Sequence, residues 1–169
     1  MTTEFWLKKD DTWNNSNTTE VILDLHNGES LETAGSRLVL ALKRTSQTEA
    51  KFYLGIDRGT GVFISVINSA QAVDLNSWKH FAFTFYKESN RLYVRMYVNG
   101  ELHTEADYSY SGTPDNIPGK VDGYIGALQS EVGSIAFPQA GEGYGKLLAS
   151  LDEFRFWKAR RTDRQIKLN

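Results

Sequence analysis

The sequence predicts an all-β fold, antiparallel and with its sheets buried on one side, and three observations carry that prediction. Apolar residues recur with a period of two in one short segment after another. Turn formers such as Asn27-Gly28, Gly35-Ser36 and Asp57-Arg58-Gly59 separate the segments. Aromatic residues make up 12% of the 169, as 9 Phe, 8 Tyr and 4 Trp, and large flat rings pack well on a pleated surface. Helical spacing nowhere persists long enough to compete.

Taken in order, Met1-Thr2-Thr3-Glu4-Phe5-Trp6 leads almost directly into strand-like sequence. Val21, Leu23 and Leu25 share one face of the next segment. The same holds for Leu38, Leu40 and Leu42, for Phe52, Leu54 and Ile56, and for Val62, Ile64 and Val66. The clearest stretch runs from 77 to 105. Trp78 to Tyr86 reads as one strand, and Lys87 to Asn90 turns the chain. Arg91 to Val98 alternates again, with Leu92, Val94, Met96 and Val98 on one face and Arg91, Tyr93, Arg95 and Tyr97 on the other. Asn99-Gly100 suits a type I′ hairpin, whose two central residues need positive φ, and Glu101 to Thr104 is the returning arm. Residues 109–122 turn to Ser, Gly, Pro, Asp and Asn and mark a long loop. Gly123 to Ala127 is a short strand, 133–145 a second glycine-rich excursion, and Leu147 to Trp157 a final long strand. Thr162 and Gln165 stand at capping-box spacing for a short helical turn near the C-terminus. No repeat, low-complexity tract or linker interrupts residues 1–169, which read as one domain.

Composition removes several functions. The 40% hydrophobic and 24% charged content belongs to a folded globular chain. With a net charge of −2 and scattered Lys and Arg, there is no cationic face to neutralise phosphates, so nucleic acid is not an expected partner. No apolar run approaches a membrane span, so no membrane insertion is expected, and no signal peptide opens the chain. The lack of cysteine excludes a disulfide scaffold and a thiolate zinc site, and fits a bacterial, viral or cytosolic origin better than a secreted animal one. His26, His80 and His103 lack metal-site spacing.

Three stretches carry a family signal: Phe5-Trp6-Leu7-Lys8; Leu75 to Ala82, continuing to Leu92-Tyr93-Val94 and Val98-Asn99-Gly100-Glu101-Leu102; and Leu151-Asp152-Glu153-Phe154-Arg155-Phe156-Trp157 with Arg161 to Ile166 behind it. In this order they resemble the laminin-G-like, pentraxin-like branch of the concanavalin A-like lectin/glucanase superfamily. The resemblance implies an antiparallel two-sheet jelly-roll sandwich with loops gathered along its concave side and edges. It also implies glycan binding, adhesion or particle display. Such families usually carry a further strand before the Phe5-Trp6 segment, and the closing strand would pair with it. Its absence predicts an open edge, and a module of a larger protein or assembly completed by a neighbouring domain or subunit. Ala149-Ser150 stands where the family often has a glycine.

Among single residues, Asp152 shares a strand face with Phe154 and Phe156, which would set a carboxylate near the core. The resemblance implies a structural Ca²⁺ there, the one cofactor in view. The favoured alternative is an aspartate hydrogen-bonded to neighbouring backbone amides. Asp152 and Glu153, adjacent on a strand, point to opposite faces and cannot flank one scissile bond. His80 reads as a packed structural residue. Tyr93 and Tyr97, beside Arg91 and Arg95, are a binding strip or the filler of a second core face, the latter favoured. Tyr108, Tyr110, Asp115 and Asn116 in or beside the long loop, Tyr144 in the glycine-rich one, and Trp13 are the candidate ligand contacts. Rings stack on the C–H faces of sugars, and Asp and Asn take their hydroxyls.

The expected function is a non-catalytic recognition module for carbohydrate or glycoconjugate at a cell, virion or other extracellular surface. The competing expectation is a structural or decoration module of a virus, phage tail or bacterial surface. A glycoside hydrolase stands third, since the superfamily's Glu-x-Asp-x-x-Glu strand is missing and Glu20 to Glu29 has the wrong spacing. No nucleophile elbow, phosphate loop or zinc-helix motif is present.

Overall fold

Alternating side chains make the strands, and Gly, Asn and Ser end them, in the computed structural model. It describes residues 1–9, 19–27, 36–58, 64–68, 72–109, 121–128, 132–134, 137–140 and 144–168. In order the elements are β1 (Thr2–Lys9), β2 (Thr19–His26), β3 (Ser36–Arg44), β4 (Glu49–Arg58), β5 (Ile64–Asn68), β6 (Val73–Asp74) and β7 (Lys79–Glu88). They continue with β8 (Arg91–Val98), β9 (Glu101–Ser109), β10 (Asp122–Ile125), β11 (Val132–Ser134), β12 (Phe137–Ala140), β13 (Ala149–Trp157) and α1 (Asp163–Lys167). Two compact units result: β1, β6–β9, β13 and α1 form the first, and β2–β5 with β10–β12 the second.

The first unit holds an antiparallel sheet in the order β13-β1-β7-β8-β9. One face is apolar. Phe5, Leu7, Phe81, Phe83, Val94 and Met96 have no exposed surface, and the Phe5 ring lies 5.8 Å from Phe81, 6.1 Å from Phe83 and 5.5 Å from Phe154. Each fully buried Phe of this kind contributes roughly 1.5–3 kcal/mol. The opposite face carries Thr2, Glu4, His80, Ala82 and Tyr97, and the C-terminal segment covers it. Ile166 of α1 packs on Ala82 and Tyr97, the Tyr97 hydroxyl donates to Asp163 at 2.7 Å, and Arg161 donates to the Glu4 carboxylate at 2.7 Å. The predicted capping box is present, with the Gln165 N–H on the Thr162 hydroxyl and the Thr162 N–H on the Gln165 side chain. Tyr93 and Tyr97 divide accordingly. Tyr97 is core filler, 1% exposed, and Tyr93 stacks on Tyr86 at 4.9 Å.

The hairpin region follows the sequence closely. Asn99 and Gly100 both have positive φ, 50° and 80°, as a type I′ turn requires. The preceding turn is tighter than expected, with Ser89-Asn90 alone between Glu88 and its partner Arg91. Trp78 falls outside the strand, 44% exposed, and β9 runs on past Thr104 to Ser109. The closing strand β13 pairs with β1, from Thr2 opposite Trp157 to Lys9 opposite Ala149, and stands at the edge of the sheet, with no further strand beyond it among the described residues.

The second unit's sheet has the order β10-β2-β3-β4-β5. Here the expectation of a single buried face fails. Val21, Ile22, Leu23, Leu38, Val39, Leu40, Ala41 and Leu42 are all buried. A register shift between Val21 and Leu23 breaks the alternation in β2, and the Tyr144-Gly145 turn closes the second face. The Val21 N–H donates to the Gly145 carbonyl at 2.7 Å, and the Leu128 N–H to the Tyr144 carbonyl at 3.0 Å. The glycine-rich excursion also contains a small hairpin, β11 against β12. Val62 and the side chains of Ile64 and Val66 lie outside the described residues.

Candidate functional site

Residues opposite one another in register share a face of a sheet, and in the second unit one face gathers polar and aromatic side chains. Tyr124 of β10 is opposite Asp24 of β2, which is opposite Val39 of β3. Asp122 is opposite His26, itself opposite Arg37. Farther along, Val21, Ala41 and Tyr53 form one row, and Thr19, Lys43 and Lys51 the next. The Tyr124 and Lys43 rows, four residues apart along β3, are separated by roughly 13 Å at about 3.3 Å per strand residue.

At the β10 end, Arg37 grips Asp24 with two parallel bonds, Nε to Oδ1 at 2.8 Å and Nη2 to Oδ2 at 2.6 Å. Asp24 is 0% and Arg37 3% exposed, so the pair is a strut within the face and out of a ligand's reach. The His26 and Tyr124 rings lie parallel, 6° apart, at 5.7 Å. His26 is buried, whereas Tyr124 is 38% exposed, so a fixed ring presents its outer side to solvent. At the other end the Lys43 ammonium sits 4.3 Å above the centre of the buried Tyr53 ring. Burial pushes the Lys43 ammonium below its ordinary pKa. Tyr144, half-buried, packs between these ends on Val21, Val39, Ala41, Tyr53 and Leu128. The face therefore offers aromatic surface, ammonium donors and the Asp122 carboxylate in a row. Its fully buried carboxylate, Asp24, is closed by arginine.

Of the residues expected from sequence, Tyr144 belongs to this face. Tyr108 belongs to the first unit and sits near the end of strand β9, opposite Leu92. Trp13, Tyr110, Asp115 and Asn116 lie outside the described residues. Asp152 is exposed, contrary to a position against the core. Glu153 adopts φ 48° and the β1–β13 register shifts there, so the strand alternation that placed Asp152 beside Phe154 is broken by a bulge. Asp152 Oδ1 accepts the Glu153 N–H at 2.7 Å. Among the described residues no group of three or more His, Cys, Asp or Glu side chains gathers in a way that could hold a metal ion.

His80 is buried, its ring 5.5 Å from Trp6 and its Nε2 3.9 Å from the Glu4 carboxylate, and its Nδ1 has no hydrogen-bond partner among the described residues. Burial depresses its pKa, against the pull of Glu4. It is a packed residue beneath the Arg161 clasp. Sequence reading missed His26, Arg37, Lys43, Lys51, Tyr53 and Tyr124. The usable signal was equal parity, Arg37, Val39, Ala41 and Lys43 in one strand and Lys51 and Tyr53 in the next. Only the register joins those stripes.

The sequence matches the family model of the concanavalin A-like lectin/glucanases superfamily over residues 1–167. No curated protein matches it. Among solved structures, it is similar to the CBM40 of Ruminococcus gnavus IT-sialidase bound to α2,3 sialyllactose, at 16% identity and a TM-score of 0.62, over 99% of this chain and 80% of that one. A second structure of that CBM40 aligns at 16% identity and a TM-score of 0.57 over the same shares. These likenesses establish the all-β jelly-roll fold.

Proposed function

Because the chain belongs to the concanavalin A-like lectin/glucanase superfamily, we propose that it is a non-catalytic carbohydrate-binding module. Its ligand lies along the polar face of the second sheet, with sugar C–H surfaces against Tyr124 and Tyr144 and hydroxyls served by Asp122 and the lysines. The observation that carries this reading is the Tyr124 ring, 38% exposed and held flat by the parallel His26 ring behind it. A rigid aromatic shelf flanked by a carboxylate suits an alternately apolar and hydroxylated ligand. The sialyllactose bound by the similar R. gnavus CBM40 supports the same class of ligand. The Asp24–Arg37 lock supports the non-catalytic reading, because a carboxylate held bidentate is a poor proton carrier. We place the module outside the cell or on a cell or virion surface, joined to neighbouring domains or subunits.

A glycan array, run with and without Ca²⁺, tests this. Binding is expected in both conditions, since Asp152 belongs to the first unit and the proposed ligand contacts all belong to the second. Tyr124→Ala is expected to weaken binding about tenfold, or about 1.4 kcal/mol. Silence across a broad array refutes the proposal. The second reading, a structural or adhesive surface module, is supported by Phe156 and Trp157, 47% and 40% exposed on β13 at the margin of the first sheet. Sedimentation showing self-association that Trp157→Ser abolishes, together with no glycan bound, would favour it.

A further inference from the structure

We propose that Lys43 and Lys51 receive the anionic group of an acidic glycan, a carboxylate or a sulfate. This rests on the carbohydrate-binding reading and names the ligand class of the same face. The register sets Lys43 directly opposite Lys51 on β3 and β4, and like charges placed so oppose folding. Neither lysine forms an ion pair among the described residues. Lys43 has the Tyr53 ring beneath it, at 4.3 Å, and both side chains are half-buried.

Nearby carboxylates do not resolve the opposition. Glu49, two residues from Lys51 on the same side of β4, pairs with neither lysine. Glu20 takes the Leu148 N–H at 3.0 Å. A third cation stands close by, since Lys146, exposed, follows Gly145, whose carbonyl holds the Val21 N–H. Gly145 also lies against the Thr19 carbonyl, and Thr19 is the other neighbour of Lys43. Arg37 is no rival for the anion, because Asp24 already fills its fork.

A bound anion would give these lysines the counter-charge that neither has among the described residues. It would also favour the charged form of Lys43, offsetting the burial that holds its pKa below the ordinary value. Ammonium groups act as point charges without the planar fork of arginine, so they accept either a carboxylate or a sulfate.

Calorimetric titration with three probes tests this: lactose, 3′-sialyllactose for a carboxylate, and a chondroitin sulfate tetrasaccharide for a sulfate. At least one acidic probe is expected to bind about tenfold tighter than lactose, and to lose that margin as salt rises from about 50 to about 200 mM. Lys43→Gln with Lys51→Gln is expected to abolish the margin while Tm holds or rises. Lys43→Arg with Lys51→Arg is expected to restore it, which a folding defect would not allow. Equal affinity of the wild type for all three probes, or an acidic preference that survives the double glutamine change, overturns the inference and leaves carbohydrate binding standing. Binding of none of the three overturns both.

Discussion

Arg37→Met removes the guanidinium that closes on Asp24 and leaves the carboxylate inside the sheet face. The two bonds, 2.8 and 2.6 Å, join groups with 3% and 0% exposure, so water cannot replace the lost partner. Removing one member of a buried pair costs about 3–5 kcal/mol. For a chain of this length, about 2–4 °C in Tm follows each kcal/mol, so a fall of roughly 6–20 °C is expected. Asp24→Leu combined with Arg37→Met removes both charges and is expected to recover most of that loss, because a hydrophobic replacement of a buried pair is near neutral. Thermal unfolding followed by tryptophan fluorescence, with urea titration to check that the slope is unchanged, measures each corner of the cycle. Arg37→Met within about 0.5 kcal/mol of the wild type, or a double variant as unstable as the single, would refute the reasoning. Glycan binding by the folded double variant is expected to persist, since the strut lies out of the ligand's reach.

The other predictions concern pH, a tight turn and metal. His80 is held below its ordinary pKa, first by burial, so its neutral form is the folded one. The unfolded chain takes up the proton as pH falls through about 6.5, so this contribution is intact above that value and is lost as pH falls toward the folded pKa. Tm measured from pH 7.5 to about 5 should fall less steeply in His80→Gln than in the wild type; equal slopes would dismiss the effect. Gly145 has φ +67°, and a Cβ there would meet Val21 Cγ2 at 2.8 Å and its backbone N at 3.3 Å. Gly145→Ala is therefore expected to cost about 2–4 kcal/mol. Gly126→Ala, at φ +93° with its nearest neighbour 3.9 Å away, should cost only the backbone term of about 1–2 kcal/mol. Equal losses would show that the clash does not matter. Chelation with EDTA is expected to leave both Tm and glycan affinity unchanged; a drop in Tm reversed by Ca²⁺ would return a metal to Asp152.

Much of the first unit was legible from local sequence, and for local reasons. Asn99-Gly100 forces positive φ at two successive positions, Thr162 and Gln165 satisfy each other's backbone amides, and Phe81, Phe83 and Phe85 alternate with His80, Ala82 and Thr84. Each of these is decided by neighbours within a few residues. The second unit resisted reading because its β2 and β3 are buried on both faces, so period two no longer separates inside from outside. Asp152 misled for a related reason: a single positive φ at Glu153 reverses the parity on which its placement depended.

From the residues alone came the all-β class, the hairpin turns, the helical cap, the superfamily resemblance and the absence of a charge pattern for nucleic acid. The binding face depended on tertiary structure. Arg37 and Asp24 are 13 residues apart, Tyr124 is about a hundred residues beyond His26, and Lys43 faces Lys51 only because β3 and β4 pair in one particular register. Strand alternation tells which side of its own strand a residue takes, but the neighbour it meets there is set by hydrogen-bond register between distant segments. A shift of one residue would turn Lys51 away from Lys43 and present an apolar neighbour instead.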